Sequence, residues 1–146
     1  MPGPTSTASA RGHLSTGIIG TRYLMDTLTK LGHTDLAYKI VTKTTYPSWG
    51  HMIKEGATTL WERWEYLASD GMNSHNHIMF GSVDGWFYRI LAGIDVDAQR
   101  PGFEQVHFKP HPVGDLSHVS ASIETQRGKV SSSWRIEGGE FFLKVS

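Results

Sequence analysis

A single carboxylate lies between two indole rings in the stretch from Gly56 to Trp64. Glu62 stands between Trp61 and Trp64, and Arg63 follows it directly. Indole faces can cover the apolar C–H face of a sugar ring, and a carboxylate can take or give a proton at the anomeric centre. These residue types therefore suit the binding or hydrolysis of a glycoside.

The same spacing also fits a purely structural role. Trp61, Trp64 and Leu67 recur at i, i+3 and i+6, the pattern of the buried stripe of an amphipathic helix. In that interpretation Glu62 is a solvated surface charge. Arg63 either orients Glu62 or forms an ion pair elsewhere. Spacing alone leaves both interpretations open.

The elements around this stretch are predicted to be helices joined by polar loops. Apolar residues at close to 3.6-residue spacing predict helices over Gly17–Leu31 and from Asp35 to about Lys43. The short link Gly32–Thr34 makes these two an antiparallel αα-hairpin. A third, strongly apolar helix is predicted from about His77 to Leu91, with Gly93 just past its end.

Two segments between the helices are predicted to be loops or turns. Pro47 and Gly50 break regular structure, so Tyr46–Gly50 is expected to be a loop that can expose its aromatic rings. Ser69–Gly71 has the composition of a turn. The loops of this part of the chain carry most of its polar and aromatic side chains.

The pattern changes to β near Asp95. From Val106 onwards apolar residues alternate with polar ones, which predicts a meander of three to five strands. Hairpin turns are expected at Arg127–Lys129 and Glu137–Glu140. The last strand runs to the end of the chain at Ser146. The sheet would have a bare edge, so we expect further strands beyond it.

Composition excludes several classes of function. Lys plus Arg equals Asp plus Glu, at 14 each among 146 residues, which leaves no basic field for nucleic acid. No apolar run approaches the ~18 residues of a membrane span. There is no Cys, and the pair His75 and His77 is too few ligands for zinc. We therefore expect no metal, no cofactor, no nucleic acid and no membrane partner.

The first residues are small and polar and lack the apolar centre of a signal peptide. They predict a disordered lead-in over residues 1–11. The cellular compartment is not indicated by any residue pattern.

Several motifs, taken in order, resemble the bacterial α-L-rhamnosidases of glycoside hydrolase family 78. They cover the chain from about Gly12 to Ser146. The matching segments are Gly12–Gly17 with Gly20-Thr21, Tyr46–Gly50, Gly56–Trp64, Met72–His77, Gly85–Arg89 with Ala92–Ile94, and Phe108–Pro110. Ordered motifs at similar spacing are a far more specific signal than one short match.

The resemblance implies a six-hairpin (α/α)6 barrel followed by a small antiparallel β-sandwich. Residues 12–94 would be the C-terminal part of the barrel. Residues 95–146 would be the C-terminal β-sandwich domain, in truncated form. The fold class is thus helical hairpins followed by an incomplete sandwich.

The resemblance also implies roles for particular residues. The family hydrolyses terminal α-L-rhamnose from glycosides with inversion, and Glu62 matches its general base. His77 matches a residue that contacts the sugar, and Trp61, Trp64 and Trp49 would form walls of the sugar site. Rhamnose-containing glycosides or oligosaccharides are the implied partners.

One departure from the family pattern limits what the isolated chain is expected to do. The family's general acid lies upstream, and nothing before Gly12 can supply it. Acid assistance is worth about 10²–10⁴-fold, so little or no activity is expected from this chain alone. A partial barrel would expose apolar helix faces and favour self-association. The alternatives are a non-catalytic carbohydrate-binding or scaffold module, or a truncated non-functional fragment.

Overall fold

The computed structural model describes residues 12–67 and 73–146 of the chain. The chain divides into two units, with the boundary between Val83 and Asp84. The predicted lead-in, residues 1–11, and the predicted turn at residues 69–71 lie outside the described part. Each unit is built on a different backbone architecture.

An αα-hairpin opens the first unit, as predicted. Helix α1 spans Ile18–Lys30 and helix α2 spans Thr34–Val41. Between them Gly32 has φ +81°, a left-handed conformation that glycine adopts without strain. The His33 N–H donates to the Leu28 carbonyl at 2.8 Å, which satisfies a carbonyl at the end of α1 and turns the chain back.

A short third helix, α3, spans Trp49–Lys54. Ser48 caps it by accepting a hydrogen bond from the His51 N–H at 3.0 Å. The predicted loop over Tyr46–Gly50 is therefore wrong in its last two residues. Glycine suits position 50 because a Cβ there would lie 2.5 Å from the Lys43 carbonyl oxygen.

The stretch that holds Glu62 is not helical. Residues 57–67 form bends and irregular backbone, so the amphipathic-helix interpretation is wrong. Trp61 and Trp64 are nevertheless buried, whereas Leu67 is 39% exposed. The two indoles therefore reach the core from irregular backbone, and their burial does not follow from a helical period.

A helical segment from residue 78 to residue 91 confirms the third predicted helix. Its type changes along its length, from a 3-10 turn at Ile78–Gly81 to α4 at Ser82–Trp86 and a π-helical turn at Phe87–Leu91. Helix α1 packs against the 3-10 turn. Within residues 12–67 and 73–146, no helix is both long and apolar enough to cross a membrane.

The second unit begins its β structure with a hairpin-like pair. Strand β1, Ile94–Val96, pairs antiparallel with β2, Val106–Phe108. Strand β1 is only three residues long and was not predicted. Gly93 precedes it with φ +75°, and an added Cβ would collide with the backbone of Pro110. Glycine therefore permits the change from helix to strand at this close approach.

The predicted meander is confirmed as a three-stranded antiparallel sheet, except that its expected first strand, Val106–Phe108, belongs to the separate pair of β1 and β2. Its strands are β3, His118–Thr125, β4, Gly128–Glu137, and β5, Glu140–Val145, in the order β3-β4-β5. The two-residue link Gly138–Gly139 joins β4 to β5, as predicted, and both glycines have positive φ.

Two buried side chains of β4 tie this sheet to the end of the helical segment. The Trp134 indole N–H donates to the Leu91 carbonyl at 2.7 Å, and the Ser132 hydroxyl donates to the Ala92 carbonyl at 2.6 Å. Carbonyls at a helix end have no partner within the helix, so these bonds satisfy groups that burial would otherwise leave unpaired.

Candidate active site

Two irregular segments run antiparallel and bring the predicted site residues together. The His77 N–H donates to the Leu60 carbonyl at 2.8 Å, and the Glu62 N–H donates to the Ser74 carbonyl at 2.9 Å. The Thr59 hydroxyl adds a bond to the His75 carbonyl. Glu62 and His77 therefore lie on paired neighbouring segments of the first unit, although 15 positions separate them in the sequence.

Glu62 is partly exposed, and its carboxylate has a fixed partner. Its Oε2 accepts a hydrogen bond from the Ser74 N–H at 2.9 Å. Together with the backbone bond between the same two residues, this holds the side chain in one orientation. A bond from an amide to a charged oxygen is among the stronger hydrogen bonds in proteins.

Arg63 forms its ion pair with a different carboxylate. Its Nη1 lies 3.6 Å from Glu65 Oε1, and both side chains are well exposed. The sequence left two roles open for Arg63, orienting Glu62 or forming an ion pair with another residue, and the structure shows the ion pair. An exposed pair of this kind contributes little to stability.

The indoles of Trp49 and Trp64 pack together in the core of the first unit. Trp64 stacks on Phe80 with ring centroids 3.8 Å apart, and Trp49 meets Trp64 edge-on at 5.1 Å. The Trp64 N–H donates to the Thr16 carbonyl at 2.8 Å, and the Trp49 N–H donates to the Phe80 carbonyl at 3.0 Å. Both indoles therefore anchor backbone segments from within the core.

A second aromatic group surrounds the third indole. Trp61 lies 5.2 Å from the ring of Tyr66 and 5.6 Å from that of His75, and Tyr66 stacks on His75 at 4.6 Å. Tyr66 is 52% exposed, so this group reaches the surface. No pattern in the sequence marked Tyr66 as a site residue. The signal available for it was its place in the same aromatic run as Trp61 and Trp64.

Two residues that flank Ser74 in the chain each have a buried polar atom without a partner. Asn73 Oδ1 and His75 Nε2 have no hydrogen-bond partner among the described residues. Buried polar atoms are nearly always paired in native proteins, so unpaired ones indicate a position where another polar group fits. Both flank Ser74, the residue that holds the Glu62 carboxylate.

His77 has a defined relation to the helix that follows it. Its Nδ1 accepts a long hydrogen bond, 3.5 Å, from the Met79 N–H at the start of the 3-10 turn. When Nδ1 accepts, the proton of the neutral imidazole lies on Nε2, which then acts as a donor. His75 and His77 thus make different contacts. Among the described residues, no group of three or more His, Asp or Glu side chains could hold a metal ion.

Tyr46 and Glu65 form a polar contact near the surface of the first unit. The Tyr46 hydroxyl donates to Glu65 Oε2 at 3.5 Å. Partial burial, followed by the negative charge of Glu65 and this bond, raises the pKa of Tyr46 above its ordinary value. Glu65 therefore interacts with both Tyr46 and Arg63.

Each unit contains a cavity. In the first unit a cavity of about 220 Å³ includes the predicted site residue Trp49 in its lining. In the second unit a cavity of about 620 Å³ contains none of the predicted site residues. Its lining is Asp84, Gly85, Tyr88, Arg89, Ile94, Asp95, Val96, Phe103, Ser122 and Ile123.

Comparison with known proteins identifies the family. The family model of the bacterial alpha-L-rhamnosidase 6 hairpin glycosidase domain matches residues 5–91. The model of the bacterial alpha-L-rhamnosidase C-terminal domain matches residues 93–146. This chain belongs to the bacterial α-L-rhamnosidase family.

Individual α-L-rhamnosidases are similar to almost the whole chain. That of Streptomyces avermitilis is 43% identical over 140 residues, which is 92% of this chain and 13% of the relative. The solved structure of the Dictyoglumus thermophilum α-L-rhamnosidase is 56% identical with a TM-score of 0.87, covering 92% of this chain and 15% of that one. The S. avermitilis enzyme complexed with L-rhamnose has a TM-score of 0.87 at 41% identity, covering 95% of this chain and 14% of that one.

These comparisons confirm the predicted fold class. The helical segments belong to a six-hairpin glycosidase domain, and the antiparallel strands belong to the C-terminal β domain of α-L-rhamnosidases. The chain spans 13–15% of the length of the curated relatives and solved structures described above.

Proposed function

We propose that this chain carries the general base of an inverting α-L-rhamnosidase, and that Glu62 is that base. In this role the Glu62 carboxylate takes a proton from a water molecule as the water attacks the anomeric carbon of a terminal α-L-rhamnose. The attack comes from the face opposite the leaving glycoside, so the first product is β-L-rhamnose.

The observation that carries the proposal is the fixed orientation of the Glu62 carboxylate. It accepts the Ser74 N–H at 2.9 Å and remains partly exposed, so it is held in place and still open to a water molecule. A general base must lie within hydrogen-bond reach of the proton that it removes. The family membership of the chain supports the same assignment.

The sugar would lie against the residues around this carboxylate. We assign His77 as a sugar contact, because its Nε2 is set up as a donor to a hydroxyl group. Trp61, Trp64 and Trp49 are assigned to the wall of the site. The unpaired atoms of Asn73 and His75 support a polar ligand here. The rhamnose bound to the S. avermitilis enzyme makes L-rhamnose the first ligand to test.

The proposal divides the chain into residues 12–94, as the C-terminal part of the catalytic barrel, and residues 95–146, as part of the β-sandwich domain. It assigns no general acid to either part. In an inverting pair the acid lies roughly 6.5–9.5 Å from the base. The chain alone is therefore expected to turn over an aryl α-L-rhamnoside slowly or not at all.

Self-association through helix faces is part of the same proposal. Three large apolar side chains of α1 and its C-terminal cap, Ile19, Tyr23 and Leu31, are 72%, 59% and 67% exposed. Their exposure supports association of copies through this part of the chain.

A chimera provides the decisive experiment. The segment of the S. avermitilis α-L-rhamnosidase that matches this chain is replaced by residues 12–146, and hydrolysis of an aryl α-L-rhamnoside is measured. We expect Glu62→Gln to lower kcat by about 10²–10⁴-fold with little change in KM. Azide should restore turnover in this variant and give β-L-rhamnosyl azide. The exposed neighbour Glu55→Gln is the matched control and should retain activity.

A Glu62→Gln chimera that keeps its turnover would contradict the assignment of the base. Robust hydrolysis by the isolated chain that disappears in Glu62→Gln would contradict a different part of the proposal, namely that the general acid is missing from this chain.

The alternative function, a non-catalytic carbohydrate-binding module, gives a different pattern. The isolated chain would bind L-rhamnose in an NMR titration, and Trp61→Ala would abolish this binding. Glu62→Gln would leave the binding unchanged, and it would also leave the turnover of the chimera unchanged. The aromatic group of Trp61, Tyr66 and His75, which reaches the surface, is the observation that favours this alternative.

A further inference from the structure

Ser74 takes part in three hydrogen bonds around the Glu62 carboxylate. Its N–H donates to Glu62 Oε2 at 2.9 Å, and its carbonyl accepts the Glu62 N–H at 2.9 Å. Its hydroxyl oxygen accepts the Asn76 N–H at 3.0 Å. The first two bonds orient Glu62. The third lies within the segment of Ser74 itself, so it acts on the direction in which Ser74 presents its N–H.

The bond between Ser74 and Asn76 closes a turn in which the chain bends at His75 and Asn76. A serine hydroxyl that accepts the N–H two residues further on takes the place of the backbone carbonyl in an ordinary turn. Such a bond restricts the torsion angles of the residues that it encloses. These torsion angles fix where the Ser74 N–H lies relative to the rest of its segment.

Thr59 holds the same turn from the opposite segment. Its hydroxyl donates to the carbonyl of His75, the middle residue of the turn. The next bond along the two segments joins the His77 N–H to the Leu60 carbonyl at 2.8 Å. The turn is therefore fixed at its middle and just beyond its end, as well as at its first residue. Little freedom remains for it to shift along the segment that carries the carboxylate.

We propose that the hydroxyls of Ser74 and Thr59 are positioning groups for the general base, an inference that rests on the assignment of Glu62 to that role. Each hydroxyl bonds to the backbone of the turn and acts on Glu62 only through it. The turn holds the Ser74 N–H against Glu62 Oε2, and this N–H sets the direction of the carboxylate. A displacement of about 1 Å at a reacting group can cost about 100-fold in rate, so a small motion of the turn would lower kcat.

Paired substitutions in the chimera test the two hydroxyls. Ser74→Ala and Thr59→Val remove a hydroxyl with little change of shape, whereas Ser74→Thr and Thr59→Ser retain it. We expect each removal to lower kcat about tenfold on an aryl α-L-rhamnoside, with KM changed less than about twofold, because the base acts in the transition state. The variants that retain a hydroxyl should keep kcat within about threefold of wild type.

Thr42→Val is the matched control for these substitutions. It also removes a threonine hydroxyl that donates to a backbone carbonyl, that of Tyr38 at 2.9 Å. This bond lies at the end of helix α2, outside the two paired segments. Thr42→Val should therefore leave both kcat and KM unchanged.

A second background separates positioning of the base from a general structural effect. In Glu62→Gln, azide replaces the attacking water and needs no base, so the orientation of residue 62 no longer limits turnover. Ser74→Ala should therefore change the azide-supported turnover of Glu62→Gln by less than about twofold. A purely structural role of Ser74 would lower turnover by the same factor in both backgrounds.

Amide exchange measures the positioning without any turnover. In the isolated chain the Ser74 N–H should exchange about tenfold faster in Thr59→Val than in wild type, because a looser turn releases it from the carboxylate. Thr42→Val should leave this rate unchanged. If Ser74→Ala does not fold, Thr59→Val provides the kinetic test by itself, in the wild-type and the Glu62→Gln backgrounds.

Two results would overturn the inference. One is a wild-type kcat in Ser74→Ala or Thr59→Val although Glu62→Gln has lost its turnover. The other is an equal loss of turnover in the wild-type and Glu62→Gln backgrounds. Retention of turnover by Glu62→Gln itself would instead contradict the assignment of the base, so the two failures can be told apart.

Discussion

The two units of this chain hold their buried tryptophans in different ways. In the second unit Trp134 belongs to the central strand of a sheet, so the β-ladder already sets its position on both sides. In the first unit Trp61 and Trp64 lie on irregular backbone, where no ladder is available. There, the bond from the Trp64 indole N–H to the distant Thr16 carbonyl holds the backbone in place.

The difference shows which contacts fix the backbone geometry of each unit. The indole of Trp64 joins residues that are 48 positions apart, and that of Trp49 spans 31 positions. Such long-range bonds let loop residues reach a defined geometry around Glu62. Loops on a rigid base are also where binding and catalytic residues commonly lie. In the second unit the indole of Trp134 makes a bond of similar span, 43 positions, but there it secures a strand of regular sheet to the end of a helical segment.

The largest expected effect tests the core of the second unit. Trp134→Ala should lower the free energy of unfolding by about 3–5 kcal/mol, because it removes a buried ring and leaves a cavity. Urea denaturation followed by circular dichroism measures this change. The control Ile53→Ala, at a side chain that is 72% exposed, should stay within about 0.5 kcal/mol of wild type. A small loss of unfolding free energy in Trp134→Ala would mean that the backbone ladder, and not burial of the Trp134 ring, provides most of the stability of this core.

A pair of glycine substitutions compares the two units at their turns. Gly93→Ala should cost about 3 kcal/mol, because the new Cβ meets the backbone of Pro110 and the residue has φ +75°. Gly56→Ala should cost only about 1 kcal/mol, because its φ of +86° is strained but nothing lies within 4 Å. The same denaturation experiment serves both variants. Equal losses would show that backbone strain alone decides the cost.

A smaller change separates the ring of Trp64 from its hydrogen bond. Trp64→Phe keeps an aromatic ring over Phe80 but removes the shorter of the two hydrogen bonds to the Thr16 carbonyl, which retains only the bond from the Thr21 hydroxyl at 3.3 Å. This change should cost about 1–2 kcal/mol. Amide exchange should also quicken at Glu62, whose N–H is bonded to Ser74. Trp134→Phe is the matched variant in the second unit, and its effect on exchange should stay close to residues 91 and 134. An unchanged exchange rate at Glu62 would contradict the role given to long-range indole bonds.

The smallest effect concerns the titration of Tyr46. Since the pKa of Tyr46 is raised in the folded chain, its contribution to the free energy of unfolding is present at pH values below the ordinary pKa of tyrosine. That contribution is lost as pH rises through the pKa of the folded state. Glu65→Gln removes the adjacent charge, so the pKa should move down towards its ordinary value. Ultraviolet absorbance of the tyrosinate measures the change, and Glu55→Gln should leave the pKa unaltered.

The helices and strands were largely predictable because they depend on local periodicity. The hairpin of α1 and α2, the helical segment to Leu91 and the link Gly138–Gly139 follow from patterns of apolar residues and glycines. Strand β1 was not predicted because its three residues directly follow the apolar helical segment and Gly93, so they do not stand out as a separate alternating pattern. Helix α3 was not predicted, because Pro47 and Gly50 indicated a break in regular structure, whereas the start of the helix depends on the Ser48 cap.

The candidate site was predictable only in its residue types. The presence of Glu62 among indoles, and the motifs shared with the α-L-rhamnosidases, can be read along the chain. The pairing of residues 59–62 with residues 74–77 cannot, because no local period marks it. The same reason explains why Tyr66 was missed and why the partner of Arg63 stayed open.

Local chemistry along the sequence determines which segments of this chain become helix or strand and which family it belongs to. Tertiary structure alone decides that the Glu62 carboxylate meets the Ser74 amide and that Trp49 and Trp64 become internal anchors. These features depend on contacts between residues far apart in the chain, and such contacts form only when the whole fold brings their backbones together.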